Sequence, residues 1–157
     1  MGGACGRCMG RIAGETTVEG ELMLLLDSEA LSALAHGPKV RRDRTRALIA
    51  AMRARELPVA TAAAVLAEVV RGRPKDAAVF AGVRRERVLV KPVDTQVGVR
   101  AGQLLGAARL DSADAVDALL VAVGDLAGGA LIATVDVGDI DRLGAHATRV
   151  RAASIQA

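Results

Sequence analysis

Four acidic residues stand where the sequence otherwise favours apolar side chains. Asp27 and Asp136 each directly follow a short apolar run of strand length, and Glu68 and Asp117 each interrupt an apolar stretch of helical composition. An acid in such a stretch is expensive to bury unless it is paired or bound to a metal. Carboxylates held close together repel one another, and a hard cation such as Mg2+ or Mn2+ relieves that repulsion. If the fold brings these acids together, they predict a divalent-metal site.

Each acid also has an ordinary structural explanation. Asp27 could start a helix, Asp136 could belong to a turn, and Glu68 could point into solvent from a helix edge. Asp114 and Asp117 are three residues apart, so they share one helical face, which could be the polar side. Two acids at strand ends and two in apolar helices favour a common site over four separate explanations.

Strands and helices alternate along the predicted chain. The predicted strands are 22–26, 57–61, 88–93, 130–135 and a weak one near 148–151. The predicted helices are about 28–36, 43–55, 62–71, 74–84, 94–109, 113–127 and 138–143, with Ser28, Asp43 and Asp94 as candidate caps. Continuous apolar strands separated by helices indicate a parallel sheet covered on both faces. We therefore expect a three-layer α/β/α sandwich with a central, mainly parallel sheet, whose active site lies at the carboxyl ends of the strands.

The composition describes a soluble protein with an aliphatic core. Hydrophobic residues make up 52% of the chain, with Phe80 as the one aromatic side chain. No run of roughly 18 or more apolar residues is present, so no membrane association is expected, and a cytoplasmic location is the default. The net charge of +3 permits binding to a polyanion, although eighteen arginines against three lysines are equally explained by a GC-rich genome. The scarcity of aromatic residues argues against base-stacking RNA platforms.

The first 21 residues differ from the rest of the chain. They are rich in glycine and charge, so we expect 1–21 to be a flexible tail, or translation to begin at Met23, and 22–157 to form the domain. Cys5 and Cys8 form a C-x-x-C pair, which is half of a zinc site or a redox pair in other proteins. No second such pair follows, and both histidines are far away in sequence, so we interpret the pair as incidental.

Four segments of the chain together resemble a known family. The segments are 24–28 (LLLDS), 65–72 (VLAEVVRG), 114–118 (DAVDA) and 132–140 (IATVDVGDI). In this order and spacing they resemble the PIN-domain ribonucleases, especially the VapC-type toxins of bacterial toxin–antitoxin modules. The resemblance extends over about residues 22–155. Two positions depart from it: Glu29 stands where relatives often carry a small or amide residue, and Ile140 replaces a common aromatic.

The resemblance implies Mg2+-dependent endonucleolytic cleavage of RNA, with Mn2+ as a possible substitute. Asp27, Asp117 and Asp136 would hold one or two metal ions, and Asp114 would assist. Glu68 would orient or deprotonate the attacking water. The metal would lower the pKa of that water and stabilise charge on the scissile phosphate.

Further residues are expected to orient the acids or to contact the RNA. Ser28 and Thr134 would donate hydrogen bonds that orient the carboxylates. Arg71 and Arg73 are the first candidates for RNA phosphate contacts because they follow the Glu68 helix, ahead of the arginines in 41–46 and 84–87. Asp139 is a weaker candidate, since it could simply cap the short helix after Gly138.

The resemblance also implies partners, namely the RNA substrate, an antitoxin encoded beside the gene, and a second copy of the chain in a homodimer.

Two alternative functions remain open. A PIN-like module that binds RNA or protein without cleaving it would keep the fold, and Glu29 leaves room for that interpretation. A phospho-accepting signalling receiver is also α/β, but it requires an Asp after the third strand and a late Lys; here the third strand ends in Lys91-Pro92-Val93, and no lysine follows it.

Overall fold

Five short parallel strands form the centre of the molecule. The computed structural model describes residues 22–156. The strands are β1 (Met23–Leu26), β2 (Val59–Ala62), β3 (Leu89–Lys91), β4 (Ala130–Thr134) and β5 (Val150–Ser154). They are hydrogen-bonded in the order β3-β2-β1-β4-β5, and every neighbouring pair is parallel. The predicted α/β/α fold class is therefore confirmed, and the sheet of the described residues is entirely parallel.

Helices cover the sheet on both sides. They are α1 (Ser28–Ala35), α2 (Lys39–Arg53), α3 (Ala63–Val69), α4 (Asp76–Arg85), α5 (Thr95–Ala108), α6 (Ala115–Leu126) and α7 (Val137–Gly144). A short 3-10 turn, Ser112–Asp114, precedes α6. One group of helices packs around α1, which contacts α2, α3 and α4, and the other consists of α5, α6 and α7. In addition, α3 contacts α6, and this contact joins the Glu68 helix to the Asp117 helix.

The central strands β1 and β2 are buried, and their side chains are mainly apolar on both faces. Every residue of β1 and β2 is buried, as expected for strands between two helical layers. The edge strand β3 differs, since its Leu89 and Val90 side chains are exposed. The core consists mainly of Leu, Val, Ile and Ala side chains from the strands and from the inner faces of the helices.

Two helix starts differ from the sequence prediction. The residue that caps α1 is Asp27 rather than Ser28, because the Asp27 carboxylate accepts a hydrogen bond from the Ala30 backbone N–H at 2.7 Å. The second helix begins at Lys39, four residues before the predicted cap Asp43. No side chain caps this start, so the sequence carried no polar signal for it.

The other predicted boundaries agree with the structure to within three residues. In place of a helix cap, Asp43 forms an exposed ion pair with Lys39 at 3.1 Å, one turn earlier in the same helix. The proposed tail, Cys5 and Cys8 lie outside the described residues, so their interpretation stays a prediction. Between residues 22 and 156, no helix is long and apolar enough to cross a membrane.

The strand order creates a crevice at one end of the sheet. The chain passes from β1 to β2 and β3 on one side, and then crosses to β4 on the other side of β1. The crossover connections therefore leave β1 and β4 in opposite directions. In open α/β sheets this topological switch point is where ligands bind, beyond the carboxyl ends of the strands. Asp27 follows β1 and Asp136 lies just beyond β4, so both acids flank this crevice.

Candidate active site

Asp27 is held rigidly at the end of β1. Its backbone N–H donates to the carbonyl of Ala133 on β4 at 3.2 Å, which continues the pairing of the two strands. Its side chain is only 7% exposed and accepts hydrogen bonds from the Ala30 N–H and from the Thr134 hydroxyl. Burial raises the pKa of the Asp27 carboxyl, although these hydrogen bonds to its charged form oppose the increase. The result is a fixed carboxylate in a poorly solvated position.

Asp117 lies in the first turn of α6 and is half-buried. Its pKa is raised from an ordinary value of 3.8 to about 6. The largest cause is burial, and the negative charges of Asp27, Glu68, Asp139 and Asp114 raise the pKa further. These four acids come from the end of β1, from α3, from α7 and from the 3-10 turn before α6.

Thr134 connects the acids at the ends of the two central strands. Its hydroxyl hydrogen-bonds the Asp27 carboxylate, and its Oγ1 also accepts a hydrogen bond from the Asp136 backbone N–H at 3.0 Å. The side chain of Asp136 is the cap of α7, because it accepts a hydrogen bond from the Asp139 N–H at 3.4 Å. The capping residue is thus Asp136, whereas the sequence had suggested Asp139.

A cavity of about 330 Å³ lies where these residues meet. We call it the acid cavity, and its lining consists of Asp27, Ser28, Glu29, Arg41, Glu68, Asp117, Thr134, Val135 and Asp136. Five of these nine residues carry a carboxylate, and Arg41 is the only basic residue among them. The cavity therefore has a strongly negative wall that would attract a cation.

The family of the chain follows from this sequence and geometry. A family model described as "PIN domain" matches residues 24–145, which include most of β1, all of β4 and all four predicted catalytic acids. The chain belongs to the PIN-domain family. PIN domains are generally nucleases and typically depend on a divalent metal ion. The family assignment confirms the predicted resemblance and leaves the phospho-receiver alternative without support.

Comparison with solved structures supports the same fold. One similar structure is described as VapBC2 from Rickettsia felis bound to a DNA fragment from their promoter, with a TM-score of 0.57 and 15% sequence identity. The match covers 84% of this chain and 98% of that chain. Comparison with curated proteins produced no match.

The side chains of this PIN domain suit a hard divalent cation. The donors around the acid cavity are carboxylate oxygens, which Mg2+ and Mn2+ prefer, and they include no thiolate or imidazole of the kind that favours zinc. Among residues 22–156, no three His, Cys, Asp or Glu side chains form a closed set of metal ligands. Carboxylates that share a cavity without such a set fit an ion that keeps part of its water shell, as Mg2+ usually does.

The remaining predicted residues lie at different distances from the acid cavity. Asp114 and Asp139 are outside its lining but close enough to raise the pKa of Asp117. Ser28 belongs to the lining, and its role as a hydrogen-bond donor stays a prediction. Asp139 is also within 3.7 Å of the Arg142 guanidinium, an ion pair at the exposed start of α7.

Arg71 and Arg73 follow α3 in an exposed loop and do not belong to the lining. The buried Asp76 carboxylate fixes this loop by accepting hydrogen bonds from the backbone N–H groups of Arg71 and Arg73 at 2.8 and 2.9 Å. These bonds hold the pKa of Asp76 below its usual range. The loop is therefore anchored, while its arginine side chains extend over the surface.

The basic residue that does line the acid cavity is Arg41, whereas the sequence favoured Arg71 and Arg73 as phosphate contacts. Its guanidinium pairs with Glu29 at 2.8 Å. The predicted helix start at Asp43 left Arg41 in a loop with no defined direction. In the structure α2 begins at Lys39, so Arg41 is held in the first turn of a helix and faces the cavity.

Proposed function

We propose that this PIN domain is a Mg2+-dependent endoribonuclease, a hydrolase of RNA phosphodiester bonds that uses metal-activated water. The observation that carries the proposal is the convergence of Asp27, Glu68, Asp117 and Asp136 on one cavity at the topological switch point. Burial, together with repulsion among the acids, raises the pKa of Asp117 to about 6. A bound divalent cation would remove that repulsion, which explains why the fold tolerates so many acids in one place.

Three carboxylates, those of Asp27, Asp117 and Asp136, would hold the metal, with Asp114 assisting through its charge. When bound, the metal lowers the pKa of a coordinated water and stabilises charge on the phosphate; Mn2+ can supply the same chemistry. Glu68 is exposed near the end of α3, so its carboxylate is accessible to the attacking water. We assign Glu68 the role of orienting that water and accepting its proton.

The surrounding hydrogen bonds support this arrangement. Thr134 bonds the Asp27 carboxylate and the Asp136 backbone, so one hydroxyl fixes the relative position of two proposed metal ligands. Ser28 lines the cavity beside Asp27 and is assigned a similar role. Arg71 and Arg73 remain proposed contacts for RNA phosphates farther along the strand, because their loop is anchored and their side chains are exposed.

We further propose that the nuclease is the toxin of a toxin–antitoxin pair and acts in the cytoplasm. The solved structure it resembles is described as a VapBC2 complex with promoter DNA, which supports an antitoxin as partner of this chain also. A homodimer is proposed as well, since Val99 and Leu126 expose large apolar side chains around one surface cavity of the described residues. A short neighbouring reading frame with a DNA-binding pattern would be the first evidence for the antitoxin.

A second candidate function is an RNA- or protein-binding PIN module that no longer cleaves. The observation in its favour is Glu29: burial raises the pKa of Asp27, the negative charge of Glu29 raises it further, and the Glu29 carboxylate forms an ion pair with Arg41. Calorimetric titration with Mg2+ or Mn2+ separates the two functions. The nuclease binds metal in the millimolar range or below, whereas the silent module does not.

The experiment that tests the nuclease is cleavage of a mixed pool of cellular RNA by the full chain, with Mg2+ or with EDTA. We expect endonucleolytic products in Mg2+, none in EDTA, and a loss of at least about a hundredfold in rate for Asp27→Asn. Asp43→Asn is the matched control, because Asp43 is an exposed acid outside the cavity lining. Cleavage that survives EDTA, or that is equally fast in Asp27→Asn, would refute the proposal.

A further inference from the structure

A second cavity adjoins the acid cavity. We call it the side cavity; it has a volume of about 400 Å³ and is lined by Pro38, Val40, Arg41 and Gln156. Arg41 belongs to the lining of both cavities. A ligand in the side cavity would therefore be separated from the acid cavity by the Arg41 side chain.

Arg41 is available to bind an anion at this junction. Its guanidinium contacts the Glu29 carboxylate at 2.8 Å, but the Glu29 side chain is 54% exposed and that of Arg41 is 31% exposed. Ion pairs this accessible to water contribute little to stability, so a second anion can replace the carboxylate at low cost. Guanidinium groups bind phosphate with two parallel hydrogen bonds, which makes an RNA phosphate a strong competitor for Glu29.

The rest of the side cavity has the chemistry of a nucleobase site. Pro38 and Val40 offer apolar surface, and the Val40 side chain is 48% exposed. Gln156 offers an amide that can both donate and accept hydrogen bonds, as the edge of a base requires. Aromatic stacking is not available here, because the single aromatic residue of the chain, Phe80, is on α4 and does not line this cavity.

We propose that the side cavity binds a nucleoside of single-stranded RNA next to the scissile phosphate, and that Arg41 binds the phosphate between the two cavities. Glu29 holds the guanidinium in place until RNA displaces it. The inference rests on the proposed nuclease function and specifies how its substrate is seated. The shared residue Arg41 favours RNA over a protein partner, because it is the one basic side chain among the described residues that line the acid cavity and its guanidinium suits a backbone phosphate.

Binding of a short single-stranded RNA to the full chain in EDTA tests the role of Arg41 without cleavage. Arg41→Ala should raise Kd about tenfold and reduce the slope of log Kd against log salt by about 0.7, the loss of one phosphate contact. Glu29→Gln should lower Kd by about threefold because it frees the guanidinium. Arg44→Ala is the matched control: Arg44 is an exposed arginine of the same helix and lines neither cavity, so Kd should stay within about twofold.

A fluorescent adenine analogue in the same RNA tests the base site. Wild-type protein should change the fluorescence emission of the analogue when the analogue is next to the cleaved bond. Val40→Glu should abolish that change and weaken RNA binding. Val40 is exposed, so an unchanged melting temperature will show that the variant folds. The inference is wrong if Val40→Glu leaves both Kd and emission unchanged. It is also wrong if Arg41→Ala has no more effect on Kd than Arg44→Ala. If Val40→Glu loses only antitoxin binding, the side cavity binds a protein instead. If wild-type protein does not cleave RNA at all, the proposed function itself fails.

Discussion

Replacing Asp117 with Asn should stabilise the metal-free protein while destroying its proposed activity. The pKa of Asp117 in the fold is about 6, above the ordinary value of 3.8, so the folded state disfavours the charged carboxylate. Below pH 3.8 the side chain is protonated in both states, and no penalty exists. Between pH 4 and 6 the unfolded chain loses the proton first, so stability falls as the pH rises. Above pH 6 the full penalty applies, and Asp117→Asn removes it.

The size of the effect follows from the pKa difference. A shift from 3.8 to about 6 is roughly two pKa units, and each unit corresponds to about 1.4 kcal/mol, which gives about 3 kcal/mol as an upper bound. Asp117 is only half-buried, so solvent screening reduces the expected gain to about 1–2 kcal/mol. For a domain of this size that gain corresponds to a rise of about 3–6 °C in Tm.

Urea unfolding in EDTA across the range from pH 3.5 to 8 measures this directly. The free energy of unfolding of Asp117→Asn should equal that of wild type near pH 3.5. The advantage of the variant should increase through pH 5 and be constant above pH 7. Asp43→Asn serves as the control, because Asp43 is an exposed acid that does not belong to the acid cavity lining. An equal gain at pH 3.5 and pH 8, or no gain at pH 8, would refute the electrostatic account of this cluster.

Three further predictions concern the surroundings of the acids. Thr134→Val removes the hydroxyl that holds Asp27, so single-turnover cleavage should slow by about tenfold to a hundredfold, and Thr134→Ser should restore most of the rate. Mg2+ should raise the Tm of wild-type protein in differential scanning fluorimetry and leave that of Asp27→Asn unchanged, because a ligand of the native state stabilises it by mass action. Asp125→Asn breaks a contact of 2.6 Å between the Asp125 carboxylate, which is 8% exposed, and Arg100. The free energy of unfolding measured in urea should fall by about 2–3 kcal/mol. A changed pH profile of cleavage in that variant would contradict a purely structural role for Asp125.

The sequence was sufficient to predict the layers of the fold and the position of two acids. Continuous apolar strands indicated a parallel sheet, and β1 and β2 are indeed buried throughout. Asp27 and Asp136 follow two of these strands, so their location at the carboxyl edge was predictable. The strand order was not, because no local pattern shows that β4 lies beside β1 rather than beside β3. That order is what creates the crevice between the two acids.

Contacts between elements that are distant in the chain could not be predicted from the sequence either. The pairing of Arg41 with Glu29 depends on how the chain turns between α1 and α2, and α2 starts after Pro38 without any capping side chain. The charge of Asp139 acts on Asp117 only because α7 packs against α6. Local composition identified these charges individually, but tertiary packing decides which of them share a site.

We propose that the acid cavity holds a divalent cation between Asp27, which follows β1, and the acids at the starts of α6 and α7. Anomalous diffraction from crystals of the full chain soaked in Mn2+ tests it most directly. We expect a peak in the acid cavity within about 2.5 Å of carboxylate oxygens of Asp27 and Asp117, and its loss in Asp117→Asn crystals. An empty cavity in crystals whose dissolved protein cleaves RNA with Mn2+, or a peak unaffected by Asp117→Asn, would contradict the account.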